Sequence, residues 1–185
     1  MRLILASNSP RRKDLLEKGG YKFEIISSDF EEMSTLTDPR ILSQTFATGK
    51  AESVYKAIYD KRNVLVLGSD TVVYHNGEIL GKPKTEKQAK YMLQSLSGKV
   101  HSVITGYAII GQDIKIIGHV ESKVEFNILS DSVIDNYICS KLYIGKAGAY
   151  GIQDGYGLVK NCTGSIDNVI GLPTETIFPI LNKYL

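Results

Sequence analysis

A chain of 185 residues that is 43% hydrophobic can build one full domain or two tightly joined lobes, burying roughly 70% of its unfolded surface. Its 22 basic and 20 acidic residues leave a formal charge of +2, too small a surplus for a general nucleic-acid or membrane-surface binder, so any basic site must be local. Its two cysteines, Cys139 and Cys162, lack the close spacing of a zinc or redox motif and read as free thiols of a reducing, cytoplasmic compartment.

Arg2 to Ser7 is a short apolar run bounded by turn formers, the pattern of a buried strand. Its apolar part, Leu3 to Ala6, is shorter than a signal-peptide core, and nowhere do about 18 apolar residues run together, so an unexported chain without a membrane span is expected. A helix is predicted to follow at once, with Ser9 as its cap, Pro10 in the first helical position and Gly19-Gly20 as the left-handed stop. Phe23 to Ile26 reads as a second strand running into the loop Ser27 to Glu32. From Pro39 to about Arg62, Leu42, Phe46, Val54 and Ile58 recur at three- and four-residue steps, a long amphipathic helix weakened by Gly49. Val64 to Leu67, apolar on both faces, suits the middle of a sheet and ends in Gly68-Ser69-Asp70-Thr71. Val72 to Tyr74 and Glu78 to Leu80 flank His75-Asn76-Gly77, whose Asn-Gly marks a hairpin.

Thr85 to Leu96 carries Ala89, Met92, Leu93 and Leu96 on one face and is closed by Gly98, a second clear helix. Val100 to Ile110 and Ile114 to Ile128 surround the turn Gly111-Gln112-Asp113 and predict a long hairpin. Ser130 to Ser140 repeats like a capped helix, Ala147 to Val159 is glycine-rich, and Pro173 opens a last helix that Pro179 should kink. No repeat or linker interrupts the pattern, so one α/β unit spanning residues 1–185 is the economical reading.

Chemistry concentrates in a few places. A helix N-terminus offers unpaired backbone amides and the positive end of a dipole, so Ser7, Ser9 and Arg11 could cradle a phosphate; equally, the serines could cap and the arginines could be solvated. The chain has no G-x-x-x-x-G-K-[ST], which disfavours an ordinary P-loop enzyme. Asp70 follows four apolar residues and a glycine, where a central strand leaves the sheet and ligand crevices form, and a carboxylate there must be paired or bound to a cation. Glu31-Glu32 and Gly81-Lys82-Pro83 would join it as carboxylates for a hard divalent ion and a cation for phosphate. His75, His101 and His119 lack metal-ligand spacing and read as structural or exposed, and Tyr55, Tyr59, Tyr91 and Tyr107 read as packing.

Taken in order, Leu5-Ala6-Ser7-Asn8-Ser9-Pro10-Arg11-Arg12, Glu31-Glu32, Gly68-Ser69-Asp70-Thr71-Val72-Val73, Gly81-Lys82-Pro83, Leu96-Ser97-Gly98 with His101-Ser102-Val103, Lys146 to Gln153 and Gly171-Leu172-Pro173 resemble the successive motifs of the Maf family across nearly the whole chain. The resemblance implies a nucleoside triphosphate pyrophosphatase that cleaves the α–β phosphoanhydride. It also implies a mixed twisted sheet with flanking helices and two lobes around a cleft, similar to the inosine triphosphate pyrophosphatases. The residues matching Ser7, Arg11, Glu32, Lys50, Asp70, Lys82 and Gln153 then line the cleft, with Asp70 as proton acceptor.

On that reading Asp70, Glu32 and Lys82 are catalytic, Ser7, Arg11, Lys50, Thr71 and Gln153 bind substrate, and Glu32 and Asp70 hold a divalent cation, magnesium or manganese. Thr71 and Gln153 resemble the branch acting on dTTP and UTP rather than the one acting on 7-methyl-GTP. Ser69 and Asp154 depart from that branch, where alanine and glycine are usual. The family is also linked to septum formation, and a homodimer is compatible with the resemblance. The expected partner is a small nucleotide, with neither nucleic acid nor membrane. A rival reading makes Pro10-Arg11-Arg12-Lys13 the footprint of a nucleic-acid module, and another makes the protein a septum-associated partner without catalysis.

Overall fold

The computed structural model describes all 185 residues. In chain order they form β1 (Arg2–Leu5), α1 (Pro10–Lys18), β2 (Phe23–Ile25), α2 (Pro39–Ala57), β3 (Val64–His75), β4 (Glu78–Leu80), α3 (Glu86–Leu96), β5 (Val100–Gly111), β6 (Ile114–Phe126), α4 (Asp131–Cys139), a 3-10 turn (Ala147–Ala149), β7 (Val159–Thr163), α5 (Ile166–Ile170) and α6 (Thr174–Tyr184). The strands make one mixed sheet in the order β2-β1-β3-β5-β6-β7, with β4 on the edge of β3. β1 runs parallel to β2 and β3, and every other pairing is antiparallel.

Helices α1 and α6 cover one face of the sheet, packing Leu15, Leu16, Ile177 and Leu181 onto Leu3, Leu5, Leu65 and Leu67. Helix α2 covers the other, with Ala47, Ala51 and Val54 on Ile4, Ala6, Val64 and Val66. A further core gathers α3 and α4 against Val73, Val103, Val124 and Phe126 at the far end of the long strands. The alternation along β3 is therefore apolar on both faces, as its sequence demands.

Two glycines set the height of α2 above the sheet. A Cβ on Gly68 would stand 2.2 Å from the carbonyl oxygen of Ala47, and one on Gly106 would stand 2.3 Å from the backbone of Ser43. Gly49, read from sequence as a weak point, is likewise filled by the Phe30 ring, 2.3 Å from where its Cβ would be.

The structure revises several expectations. β3 runs unbroken for 12 residues, as the strand-like Thr71-Val72-Val73 after Asp70 suggests, so Gly68 does not end it and serves close helix approach. Pairing with β1 stops at Leu67 and pairing with β4 starts at Val73, so Gly68 to Val72 has a strand neighbour only in β5. Helix α2 stops at Ala57, where Ile58 turns extended. β7 and the five-residue α5 have no counterpart in the sequence pattern, one being a polar edge strand and the other barely longer than a turn. Helix α6 runs on past Pro179, which faces solvent, where water can take the freed carbonyl. Tyr107 packs in the core as expected, but Tyr59 beyond α2 and Tyr91 on the outer face of α3 are exposed. His75 and His101 are buried in the strands.

Candidate active site

The unpaired stretch of β3 opens onto a cleft of about 460 Å³, bounded by the end of β1, the first turn of α1 and the segment around Gly145 to Gln153. Ser7, Arg11, Glu32, Lys50, Asp70, Thr71, Lys82 and Gln153, which come from six separate segments of the chain, all line it.

One corner of the cleft lies at the start of α1. Ser9 occupies the cap position as expected, but its side chain makes no capping bond, and the first turn holds no acidic residue. Acids in that turn would complement the dipole; here it holds Arg11 and Arg12 instead, an arrangement suited to an external anion. Ser7 Oγ accepts from the Ser9 amide at 3.2 Å and from Arg12 Nη1 at 3.0 Å. Arg12 also donates from Nε to the Gly171 carbonyl at 2.8 Å and from Nη2 to Thr71 Oγ1 at 3.2 Å. Burial lowers its pKa, opposed by Asp70, yet a guanidinium stays charged at any working pH. Arg11 is more open, and reaches the Gly145 carbonyl with Nη2 at 3.3 Å.

Opposite lies a charged triad on the α2 side. Lys50 is on the buried stripe of α2, and Asp70, only 4% exposed, faces it from β3 because Gly68 and Gly106 let the helix come close. Lys50 Nζ lies 2.6 Å from Asp70 Oδ1 and 2.6 Å from Glu32 Oε1, and Lys82 Nζ lies 3.5 Å from that same Glu32 oxygen. The two carboxylates are driven in opposite directions. Burial pushes Asp70 up, against the pull of Lys50 and Arg12. Burial also pushes at Glu32, but its hydrogen bond and charge contacts with Lys50 and Lys82 outweigh it and hold Glu32 below the usual range. Such a split gives the two carboxylates different proton affinities.

The Asp70 carboxylate hydrogen-bonds to the protein only through Oδ1, and Glu32 meets both lysines through Oε1. Their second oxygens are hard donors suited to magnesium or manganese. No group of three acidic, histidine or cysteine side chains gathers here, so the protein would supply two carboxylates and the ligand and water the remainder.

Thr71, beside Asp70 but on the opposite face, bonds Thr105 Oγ1 at 2.9 Å as well as Arg12. Gln153 is exposed at the cleft, its amide unengaged by the protein. Ser69 Oγ donates to the Gly171 carbonyl at 3.0 Å, so this departure from the branch pattern ties β3 to the Gly171 loop. The sequence points to Lys50 only through the resemblance, yet a lysine between Ala47 and Ala51 on an apolar stripe is itself a signal. Arg12 stands in the opening motif without a role of its own; its burial and three partners appear only in three dimensions.

The cleft of this α/β protein thus sets a helix terminus bearing Arg11 and Arg12 against the carboxylates of Glu32 and Asp70. The family model of Maf-like proteins matches residues 2–184, and the chain belongs to the Maf family. Among its relatives are proteins named dTTP/UTP pyrophosphatase. That of Bacillus thuringiensis subsp. konkukian (strain 97-27) is 42% identical over 99% of this chain and 95% of its own. That of Bacillus cereus (strain AH187) is 43% identical over 99% of this chain and 95% of its own.

Proposed function

We propose that the protein hydrolyses nucleoside triphosphates, dTTP and UTP foremost, at the α–β phosphoanhydride, within one catalytic domain spanning residues 1–185. The observation that carries this reading is one cleft in which an uncapped, arginine-bearing helix terminus faces two carboxylates of divergent proton affinity. The printed name of the Bacillus relatives supports it.

Ser7, the first amides of α1, Arg11 and Lys82 bind the triphosphate. Asp70 takes a proton from a water whose oxygen forms the new bond to the α-phosphorus. The bridging oxygen then leaves with the electron pair as part of pyrophosphate, its charge met by the surrounding cations. Lys50 keeps Asp70 and Glu32 in register. A divalent cation held by Glu32 and Asp70 would add positive charge over the phosphate oxygens. Gln153 reads the base, its amide donating to a uracil or thymine carbonyl and accepting from the ring N3–H.

The two cysteines are unpaired thiols, which supports a reducing, cytoplasmic setting. No helix of the chain is long and apolar enough to cross a membrane.

The test is incubation with dTTP, UTP, CTP, GTP and 7-methyl-GTP in magnesium or manganese, with products separated by chromatography. Monophosphate and pyrophosphate, fastest from dTTP and UTP, are expected. Orthophosphate as first product would refute the cleavage position, and 7-methyl-GTP as best substrate would refute the base assignment. Salt-sensitive nucleic-acid binding without turnover would refute the enzyme reading altogether.

A further inference from the structure

One wall of the cleft is the segment Lys146 to Asp154, and a buried ion pair joins its two ends. The two side chains are 9% and 6% exposed, with Lys146 Nζ against Asp154 Oδ2. The same oxygen accepts a 2.6 Å hydrogen bond from the hydroxyl of Tyr137, a buried residue of α4. The carboxylate is seated against Gly151, where a Cβ would stand 2.7 Å from it, and the Asp154 amide donates to the Gly151 carbonyl at 3.1 Å. Nearer the start of the segment, the Gly148 amide donates to the Gly81 carbonyl at 3.1 Å. Between these fixed points, Tyr150, Gly151 and Gln153 face the cleft.

A buried ion pair is weak evidence for stability, because apolar side chains of similar volume often serve as well. What it does fix is the position of its charges and of the chain between them. Lys146 itself lines the cleft. Left unpaired, its ammonium would offer donors to any carbonyl or phosphate within reach and blur whatever Gln153 distinguishes. Asp154 neutralises that ammonium and, through Tyr137, anchors the wall to α4.

We infer that Asp154 is a specificity-determining positioning residue: it holds the Lys146–Asp154 wall so that the Gln153 amide, rather than the Lys146 ammonium, meets the base. This rests on the pyrimidine-nucleotide reading of the cleft. Loss of one matched polar contact costs about ten- to a hundredfold in discrimination, which sets the scale.

The test compares wild type with Asp154→Asn, nearly isosteric, and Tyr137→Phe, which removes one hydroxyl. The readouts are kcat and KM for UTP and CTP, and amide hydrogen exchange of residues 147–153 without nucleotide. In Asp154→Asn the UTP:CTP ratio of kcat/KM should fall about tenfold through KM, with kcat for UTP within about threefold of wild type. Exchange should quicken in residues 147–153 and not in the central strands. Tyr137→Phe should shift both readouts the same way by about threefold. An unchanged ratio with unchanged exchange overturns the inference, as does an equal loss for both nucleotides, which marks a structural role alone. A wild type that does not prefer UTP to CTP overturns the base reading instead. The exchange result then decides the wall: quickened exchange in Asp154→Asn upholds its anchoring by Asp154, and unchanged exchange overturns it.

Discussion

Replacing Gly68 by alanine tests whether the height of α2 over the sheet governs the charged triad. The new methyl carbon would sit 2.2 Å from the Ala47 carbonyl oxygen and 2.9 Å from the Ala51 Cβ, both within α2. Non-bonded carbon contacts are comfortable only near 3.5–4.0 Å, so the helix must withdraw by roughly 1 Å. Overpacking of this kind costs about 1–3 kcal/mol, and at this chain length each kcal/mol lowers Tm by about 2–4 °C, so the melt should fall by roughly 2–12 °C. The same withdrawal stretches the 2.6 Å contact of Lys50 with Asp70 past hydrogen-bonding distance. A misplacement near 1 Å can cost about a hundredfold in rate. Thermal melts and kcat for UTP are measured beside Gly81→Ala, whose added Cβ meets nothing within 4 Å and whose stability should stay within about 0.5 kcal/mol of wild type. A Gly68→Ala protein with wild-type Tm and kcat would refute both the close-approach reasoning and the need for the Lys50 contact.

Asp70→Asn should lower kcat by at least ~10²–10⁴-fold, the usual contribution of a general base, with KM little changed. Burial raises the proton affinity of Asp70 in the folded state, so its stabilising contribution is full below the unfolded carboxylate range and is lost as pH rises through the folded pKa. The asparagine variant should therefore melt no lower than wild type at pH 7 and lose that advantage near pH 4; a lower melt at pH 7 alone would contradict this sign. Glu32→Gln removes a charged oxygen donor and should raise the magnesium or manganese needed for half-maximal rate by about tenfold, with an unchanged titration removing Glu32 from that role. Gln153→Ala should flatten the ranking of UTP and dTTP over CTP by about tenfold, and a retained ranking would place base recognition elsewhere.

Part of the cleft was legible because Ser7 and Arg11 at the start of α1 and Lys82 after β4 stand near element ends, where punctuation is strong, whereas Lys50 and Asp70 lie inside α2 and β3. Pro10 after Ser9, the Asn76-Gly77 turn and the apolar Val64 to Leu67 each describe a local event that periodicity and turn chemistry report. What stayed hidden was non-local. Gly68 reads as punctuation, and only the approach of α2 from another part of the chain shows it to be a spacer inside a continuous strand. The Lys146–Asp154 pair is eight residues apart in a glycine-rich loop, a spacing with no regular structure to announce it.

The strand β3 shows most clearly where sequence rules run out. Successive strand residues point to opposite faces, so Asp70 and Thr71 should serve opposite sides of the sheet. They do: Asp70 meets Lys50 on α2, and Thr71 meets Arg12 on α1. Yet both line one cleft, because the edge of β3 toward β1 carries no strand between Leu67 and Val73. Through that gap a ligand can touch both faces at once, with the Asp70 carboxylate on one side and the arginine-bound Thr71 on the other. The site therefore depends on the point where β1 ends and β4 has not begun, a property of pairing register rather than of any residue. A sequence change that lengthened β1 by two paired residues would set Ala6 and Ser7 opposite Gly68 and Ser69, narrow the gap to Asp70 to Val72 and draw Ser7 out of its corner without replacing any motif residue.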